Sequence, residues 1–545
     1  MTETQASPKS LARHGAVMAA GSIVSRITGF GRNVVLGAAL GASVLGNSYT
    51  TAQYFPQMLY EMVLGGILTS VVVPLIVRAR KTDADGGTAF THRLLTLSIL
   101  LLGAATACVV AAAPWLAQLM TDENRGLVTS LSYFMLPAVF FYGLSALMQA
   151  VLNTHDHFAA PMWAPILNNL VIIVVGVVFF AMYTSNAETA SAVTGGAVTT
   201  DMILVLGLGT LAGIVTQSMS LLPVMRKVGF KWRWRFDFRG LPLREIGKLG
   251  SWILFYVALN QVAMVVIIKV ANQAFDNRTP GVVTAGPIIY NNAYLIMMMA
   301  HGIIAVSIIT ALMPRLSAAA TEGRYGDVAA NLSSGLRLST LGLAPVTVAY
   351  VVLGTPLAIV LFNWANFNLD QAEATGPVIA VAGLVLIPFA ISQLQTFAFY
   401  AMTDGKTVAL INIPVVAVRI GASFAALAWL PSEHVVAGLM AANGLSYVVT
   451  VALSTIFLRR KIGRLGMGEV SLTWLRQGIA AAIAGVAAWF VLDLLPPISG
   501  DKIVLLAELA GVGILLILVY LLAAFALRIP ETTEMARMVK SKLGR

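Results

Sequence analysis

The chain has 545 residues, 58% hydrophobic and 11% charged, with a net charge of +11. A soluble domain carries about 25% charged residues, so this composition excludes a soluble globular protein and describes an all-α, polytopic membrane protein. No hydrophilic stretch is long enough to fold as a separate soluble domain, and one cysteine, Cys108, excludes an intramolecular disulfide.

The polar start, "MTETQASPKSLARHG", leads into an apolar segment longer than a signal-peptide core and without a small-residue cleavage site, which reads as a retained first span. Fourteen segments are long enough to cross a bilayer, at roughly 14–40, 47–77, 91–118, 127–153, 159–183, 201–225, 246–274, 284–314, 333–362, 374–402, 405–430, 434–458, 472–495 and 502–527. The first carries "SRITGFGRNVV", in which Arg26 and Arg32 flank Gly29 and Gly31. An arginine at a helix centre costs about 2.5–3.5 kcal/mol on insertion scales, so intramembrane ionisable groups read as functional by default. The two arginines lie about 9 Å apart along an ideal helix and roughly 120° apart around it. The glycines are expected to bend or unwind the segment where it lines a wet cavity. Two guanidinium groups there suit an anion, phosphate above all. The alternative has Arg26 snorkelling and Arg32 paired with a carboxylate such as Glu61, which lies beside Tyr60 in the second span.

Farther along, Cys108 falls in the apolar run Leu94–Leu116 and is expected to be a small buried thiol. "HDH" (155–157) lacks a third metal ligand and reads as a solvated turn. Gly209 and Gly213 have the spacing of a helix-packing motif. "RKVGFKWRWRFDFRGLPLREIGK" (226–248) alternates aromatics with cations, which suits either the headgroup region of an anionic leaflet or an ordinary basic loop. Lys269 either adds to the cavity or reaches the outer interface, and Arg419 is read as snorkelling or structurally paired. "DGKT" (404–407) resembles the end of a phosphate-binding loop, but Tyr400 stands where the loop needs glycine, so ATP binding is not supported.

With the N-terminus in the cytoplasm, 28 of the 35 Lys/Arg fall on the cytoplasmic side; Arg125, Arg278 and Lys502 fall outside, and Arg26, Arg32, Lys269 and Arg419 within the membrane. This positive-inside bias predicts both termini in the cytoplasm and explains the basic charge without nucleic acid. Two patterns recur at similar offsets. Ser70 and Pro74 answer to Thr310 and Pro314 at 240, and Thr154 and Pro165 to Thr403 and Pro414 at 249. Parallel six-helix lobes of this kind point to a transporter with its site between the lobes. The expected divisions are 1–225 (first lobe), 226–248 (basic linker), 249–465 (second lobe) and 466–545 (two further helices and a basic tail).

"SRITGFGR" with "NSYTTAQYFPQMLYEMVLGGILTSVVVPLIVRA", "AVLNTHDHFAAPMWAPILNNL", "LMPRLSAAA" and "FYAMTDGKT" resembles the MurJ/MviN lipid II flippases of the MOP exporter superfamily. The resemblance covers essentially all fourteen spans. It implies a V-shaped bundle in the bacterial cytoplasmic membrane that carries undecaprenyl-pyrophosphate-linked disaccharide-pentapeptide outward by alternating access. It also implies that the last two helices form a groove for the lipid tail. Arg26 and Arg32 match the family's two arginines. Asn33 replaces the usual following acid, Asn47 an aspartate, and Tyr60, Leu295 and Gln393 stand where basic residues are frequent. The substrate-binding set is thus expected to be Arg26, Arg32, Asn33, Tyr60, Glu61, Lys269 and Gln393. No cofactor is expected, with transport driven by the membrane potential or an ion gradient. Expected partners are lipid II or a related glycan, membrane lipids and cell-wall synthesis proteins. The rival readings are a flippase for another polyprenyl-pyrophosphate glycan, a drug exporter of the same superfamily and a transport-dead cell-wall scaffold. A polytopic glycosyltransferase would need external carboxylates, and the 184–200 loop offers only Glu188.

Overall fold

The computed structural model describes residues 8–62, 75–76, 78–79, 83, 85–155, 157, 159–194, 196–230, 232–238, 243–279, 281–463, 465–495 and 502–532. Among them are eighteen α-helices and no β-strand, as expected where hydrocarbon leaves backbone groups to be satisfied within each segment. In chain order the helices are α1 (Pro8–Leu40), α2 (Val44–Met62), α3 (Thr88–Ala111), α4 (Ala113–Met120), α5 (Arg125–Met135) and α6 (Ala138–Thr154). Next come α7 (Ala159–Phe179), α8 (Ala187–Thr194), α9 (Thr200–Met219), α10 (Leu222–Lys227), α11 (Leu243–Asp276) and α12 (Pro287–Thr321). The last six are α13 (Tyr325–Phe362), α14 (Leu369–Ala401), α15 (Gly405–Trp429), α16 (Ser432–Ile462), α17 (Met467–Leu494) and α18 (Lys502–Ala526). Twelve stretches of the described residues, from Thr88–Ala111 to Lys502–Ala526, are long and apolar enough to span a membrane, and they coincide with the third to fourteenth predicted spans. The described parts of the first two spans are helical as α1 and α2, and most of the second half of the second span lies outside the described residues. Most of the 65–79 repeat segment, with Ser70 and Pro74, lies outside the described residues, as does Asp156 of "HDH".

The chain packs as two units. The first is Met1–Lys269 with Trp364–Phe367; the second is Val270–Asn363 with Asn368–Arg545. The division falls inside α11, and Val228, Phe230, Trp232 and Phe238 of the expected 226–248 linker pack with the first unit. There α1 and α7 run side by side in one direction, Gly21 against Trp163 and Val35 against Gly176. Across α7 lies α9, running the other way: a Cβ at Gly209 would sit 2.6 Å from Val175, and one at Gly213 would collide with Asn168. The glycine pair therefore does what its spacing predicts, letting two helices approach closely.

Two expectations are corrected. Gly29 and Gly31 do not unwind the first span, because α1 is continuous through both. They remove side chains at the α7 contact instead: a Cβ at Gly29 would lie 3.4 Å from Asn169 Nδ2, and one at Gly31 4.0 Å from Ile173. Cys108 is exposed on α3 rather than buried. An intramembrane helix is apolar on its lipid face as well as its packed face, so hydropathy alone did not reveal which way the thiol points.

In the second unit α17 and α18 share a core with α13, built from Leu341, Ala344 and Leu353 against Ala480, Ala484, Leu516 and Tyr520. The Tyr520 hydroxyl donates to the Leu341 carbonyl at 3.0 Å. The "DGKT" stretch forms a helix cap. Asp404 Oδ1 accepts from the Thr407 amide at 3.1 Å, and Oδ2 accepts from the Thr407 hydroxyl at 2.8 Å and from Lys461 Nζ at 2.7 Å. Burial opposes ionisation of Asp404, but Lys461 and Thr407 outweigh it and hold the carboxyl below its ordinary range. Arg419 is buried in this unit, its Nε donating to Ser446 Oγ at 3.0 Å and its guanidinium over the Tyr447 ring, as its structural reading anticipated.

Candidate functional site

The first unit holds the arginines. Arg32 Nε donates to Asn33 Oδ1 at 3.3 Å, and Nη1 to Asn169 Oδ1 at 3.4 Å. Asn169, on α7, is itself fixed: its Nδ2 donates to the Ser25 carbonyl and to Thr28 Oγ1, both at 3.1 Å. That pair of bonds turns the amide oxygen toward Arg32. The missing side chain at Gly29 lets α7 come close enough for this contact. Both acceptors of Arg32 are neutral and the bonds are long, so among the described residues no counter-charge is paired with the guanidinium. Two of its five N–H groups are used in this way, and the other three can take an anionic oxygen, which forms shorter and stronger bonds, while Asn33 and Asn169 hold the fork in place. Arg26, six residues earlier, is half-buried and makes no ion pair among the described residues.

The Tyr49 and Tyr142 side chains lie in the neighbourhood of Arg32. Tyr49 is anchored to Thr210 Oγ1 at 2.8 Å, and Tyr142 packs against Tyr60, the rings tilted by 43° with centroids 4.5 Å apart. Beside Tyr60, Glu61 accepts a 2.9 Å bond from Gln261 Nε2 of α11. Among the described residues Glu61 is therefore tied to an amide and not to either arginine, which differs from the counter-ion role expected for it. The structure thus gathers Arg32, Asn33, Tyr60 and Glu61 into one region of the first unit. It separates Lys269, whose Nζ lies 3.6 Å from Asp122 Oδ1 in the turn between α4 and α5, where Arg125 also binds that carboxylate. Gln393 belongs to the second unit, on the wall of a cavity of about 630 Å³ lined mainly by Met298, His301, Thr310, Met313, Phe389 and Phe397.

Sequence reasoning missed Asn169, Tyr142 and Gln261. Asn169 had a usable signal, the adjacent pair Asn168–Asn169 inside an otherwise apolar helix, since buried amides in a span need partners. Tyr142 had none, because an aromatic in a span is ordinarily packing.

A family model described as Lipid II flippase MurJ matches residues 36–505. The matched segment begins just past Arg32, so the arginine geometry stands as an observation on this chain. A Burkholderia cenocepacia protein named Lipid II flippase MurJ is 24% identical over 488 residues, covering 87% of this chain and 88% of its own. A Synechocystis sp. relative is 24% identical over 498 residues, covering 90% and 89%. Among solved structures, one of lipid II flippase MurJ in an inward closed conformation superposes with a TM-score of 0.72 at 18% identity, over 93% of this chain and 98% of that one. An inward-facing multidrug resistance MATE transporter of the MOP superfamily superposes at 0.63 and 16% identity, over 81% and 95%. At such identities the structural likenesses show the fold, which is the all-helical transporter architecture expected from the sequence.

Proposed function

The chain belongs to the lipid II flippase MurJ family, and on that premise we propose that it carries lipid II from the inner to the outer leaflet of the bacterial cytoplasmic membrane by alternating access. The observation that carries the reading is Arg32, a half-buried guanidinium held, among the described residues, by the neutral oxygens of Asn33 and Asn169. Such a group attracts a pyrophosphate and, unlike an ion-paired one, has its charge free to bind it. Arg26 supplies the second cation. Tyr60 and Glu61 take the parts of the headgroup beyond the pyrophosphate. Lys269 is assigned to joining α11 to the α4–α5 turn. The lipid tail stays in hydrocarbon along α17 and α18. Both termini are cytoplasmic, no cofactor takes part, and no covalent bond is made or broken. An inside-negative potential favours outward movement of a negative headgroup by about 2.3 kcal/mol per charge per 100 mV.

A second reading, flipping of a different polyprenyl-pyrophosphate glycan, is favoured by one observation: Gln393 sits on a largely apolar wall at a position where the resembling family often has a lysine. Complementation of a bacterium depleted of its lipid II flippase separates the two. Wild-type chain should restore growth, and Arg32→Ala, inserted at equal level, should not. Failure of a well-inserted wild type points to the other glycan. Full rescue by Arg26→Ala and Arg32→Ala would mean the pyrophosphate is held elsewhere.

A further inference from the structure

The stretch after α10 runs extended along α3 in the first unit. Its aromatics form a ladder on alternate residues: Phe230, Trp232, Trp234, Phe236 and Phe238, with consecutive ring centroids 5.7–6.5 Å apart. Both ends of the ladder are packed, since Phe230, Trp232 and Phe238 lie against the core of Phe90, Leu94, Leu95 and Met225. Two further contacts set the register. The Arg235 amide donates to Thr96 Oγ1 at 3.2 Å, and Arg93 on α3 pairs with Asp237. The middle behaves differently: Trp234 is 57% and Phe236 64% exposed, their rings nearly parallel at 11°. Arg233 and Arg235 are exposed beside them and make no ion pair among the described residues: of the carboxylates near Arg235, Asp237 is taken by Arg93, and Asp85 accepts from the Gly87 and Ala89 amides.

Depth supports the same reading. Thr96 lies eight residues into α3, about 12 Å along its axis. The ribbon therefore lies beside the helix over its first turns, while Leu100 and Leu101 just beyond are exposed and apolar. Tryptophan and arginine side by side at that level match the border between headgroups and acyl chains.

We propose that Arg233, Trp234, Arg235 and Phe236 form a binding surface for anionic phospholipid headgroups of the cytoplasmic leaflet, the aromatic pair entering the acyl border and the guanidinium groups holding phosphate. This surface is separate from the cargo site, so its test does not depend on transport. Full-length protein is equilibrated in nanodiscs of equimolar phosphatidylcholine and phosphatidylglycerol, and retained lipid is counted by native mass spectrometry. Wild type should retain phosphatidylglycerol preferentially, less so as salt rises. The double variant Arg233→Gln with Arg235→Gln, which leaves the packed aromatics intact, should lose that preference by about fivefold per charge removed. Trp234→Ala with Phe236→Ala should lower retention of both lipids. The proposal is overturned if wild type shows no preference, or if a double-glutamine variant that unfolds at the wild-type temperature still retains phosphatidylglycerol as wild type does. If that variant does not fold, the salt dependence of the wild type decides, and a preference insensitive to salt overturns it.

Discussion

At the scale of single residues, Asn169 decides what Arg32 can do. It orients the guanidinium without neutralising it, because an amide oxygen supplies an acceptor and no charge. Removing the amide in Asn169→Ala should weaken binding of a pyrophosphate headgroup about tenfold, a hydrogen bond to a charged group being worth about 1.5–3 kcal/mol. Asn169→Asp should weaken it more, because the new carboxylate would pair with Arg32 where an amide now sits. Calorimetric titration of the purified protein with a soluble pyrophosphate analogue reads both. A variant order with Asp above Ala would show that Arg32 does not meet the anion. The two arginines were legible in the sequence because a charge in a span is expensive and has to be accounted for. Asn169 was not legible, since a neutral amide leaves no comparable mark, and the partner of Glu61 lay 200 residues away in α11.

At the scale of helices, close approach is set by what is missing. The α1–α7–α9 layer packs through Gly29, Gly209 and Gly213, and the second and third of these have no room for a Cβ. Gly209→Leu should therefore destabilise the folded protein by about 1–3 kcal/mol through overpacking, seen as a lowered unfolding temperature in detergent. Gly421→Ala, where an added Cβ meets nothing within 4 Å, should leave it unchanged. Equal behaviour of the two would separate helix packing from the glycines. Spacing alone revealed the Gly209–Gly213 pair. Spacing did not show that Gly29 and Gly31 face α7, because the same absence of a side chain serves either unwinding or a contact, and only the neighbouring helix distinguishes them. The exposed position of Cys108 was hidden for a related reason: lipid and protein interior are alike in hydropathy, so a span shows little periodicity.

At the scale of the whole chain, the spans were readable because hydrocarbon imposes length and composition on each segment. The third to fourteenth spans coincide with helices long and apolar enough to cross. The first two carry Arg26, Arg32, Asn33, Tyr60 and Glu61, the polar groups proposed above for the cargo. The packing boundary inside α11 was not readable, because Lys269 and Val270 belong to one uninterrupted helix and composition does not change there. The measurement that bears most directly on the account is lipid II flipping by the purified chain in proteoliposomes, comparing wild type with Arg32→Gln at matched reconstitution. Loss of one charged phosphate contact, about 1.5–3 kcal/mol, corresponds to roughly ten- to a hundredfold, and the account predicts a fall of that size in the flipping rate at limiting lipid II. Flipping by Arg32→Gln at the wild-type rate would contradict it.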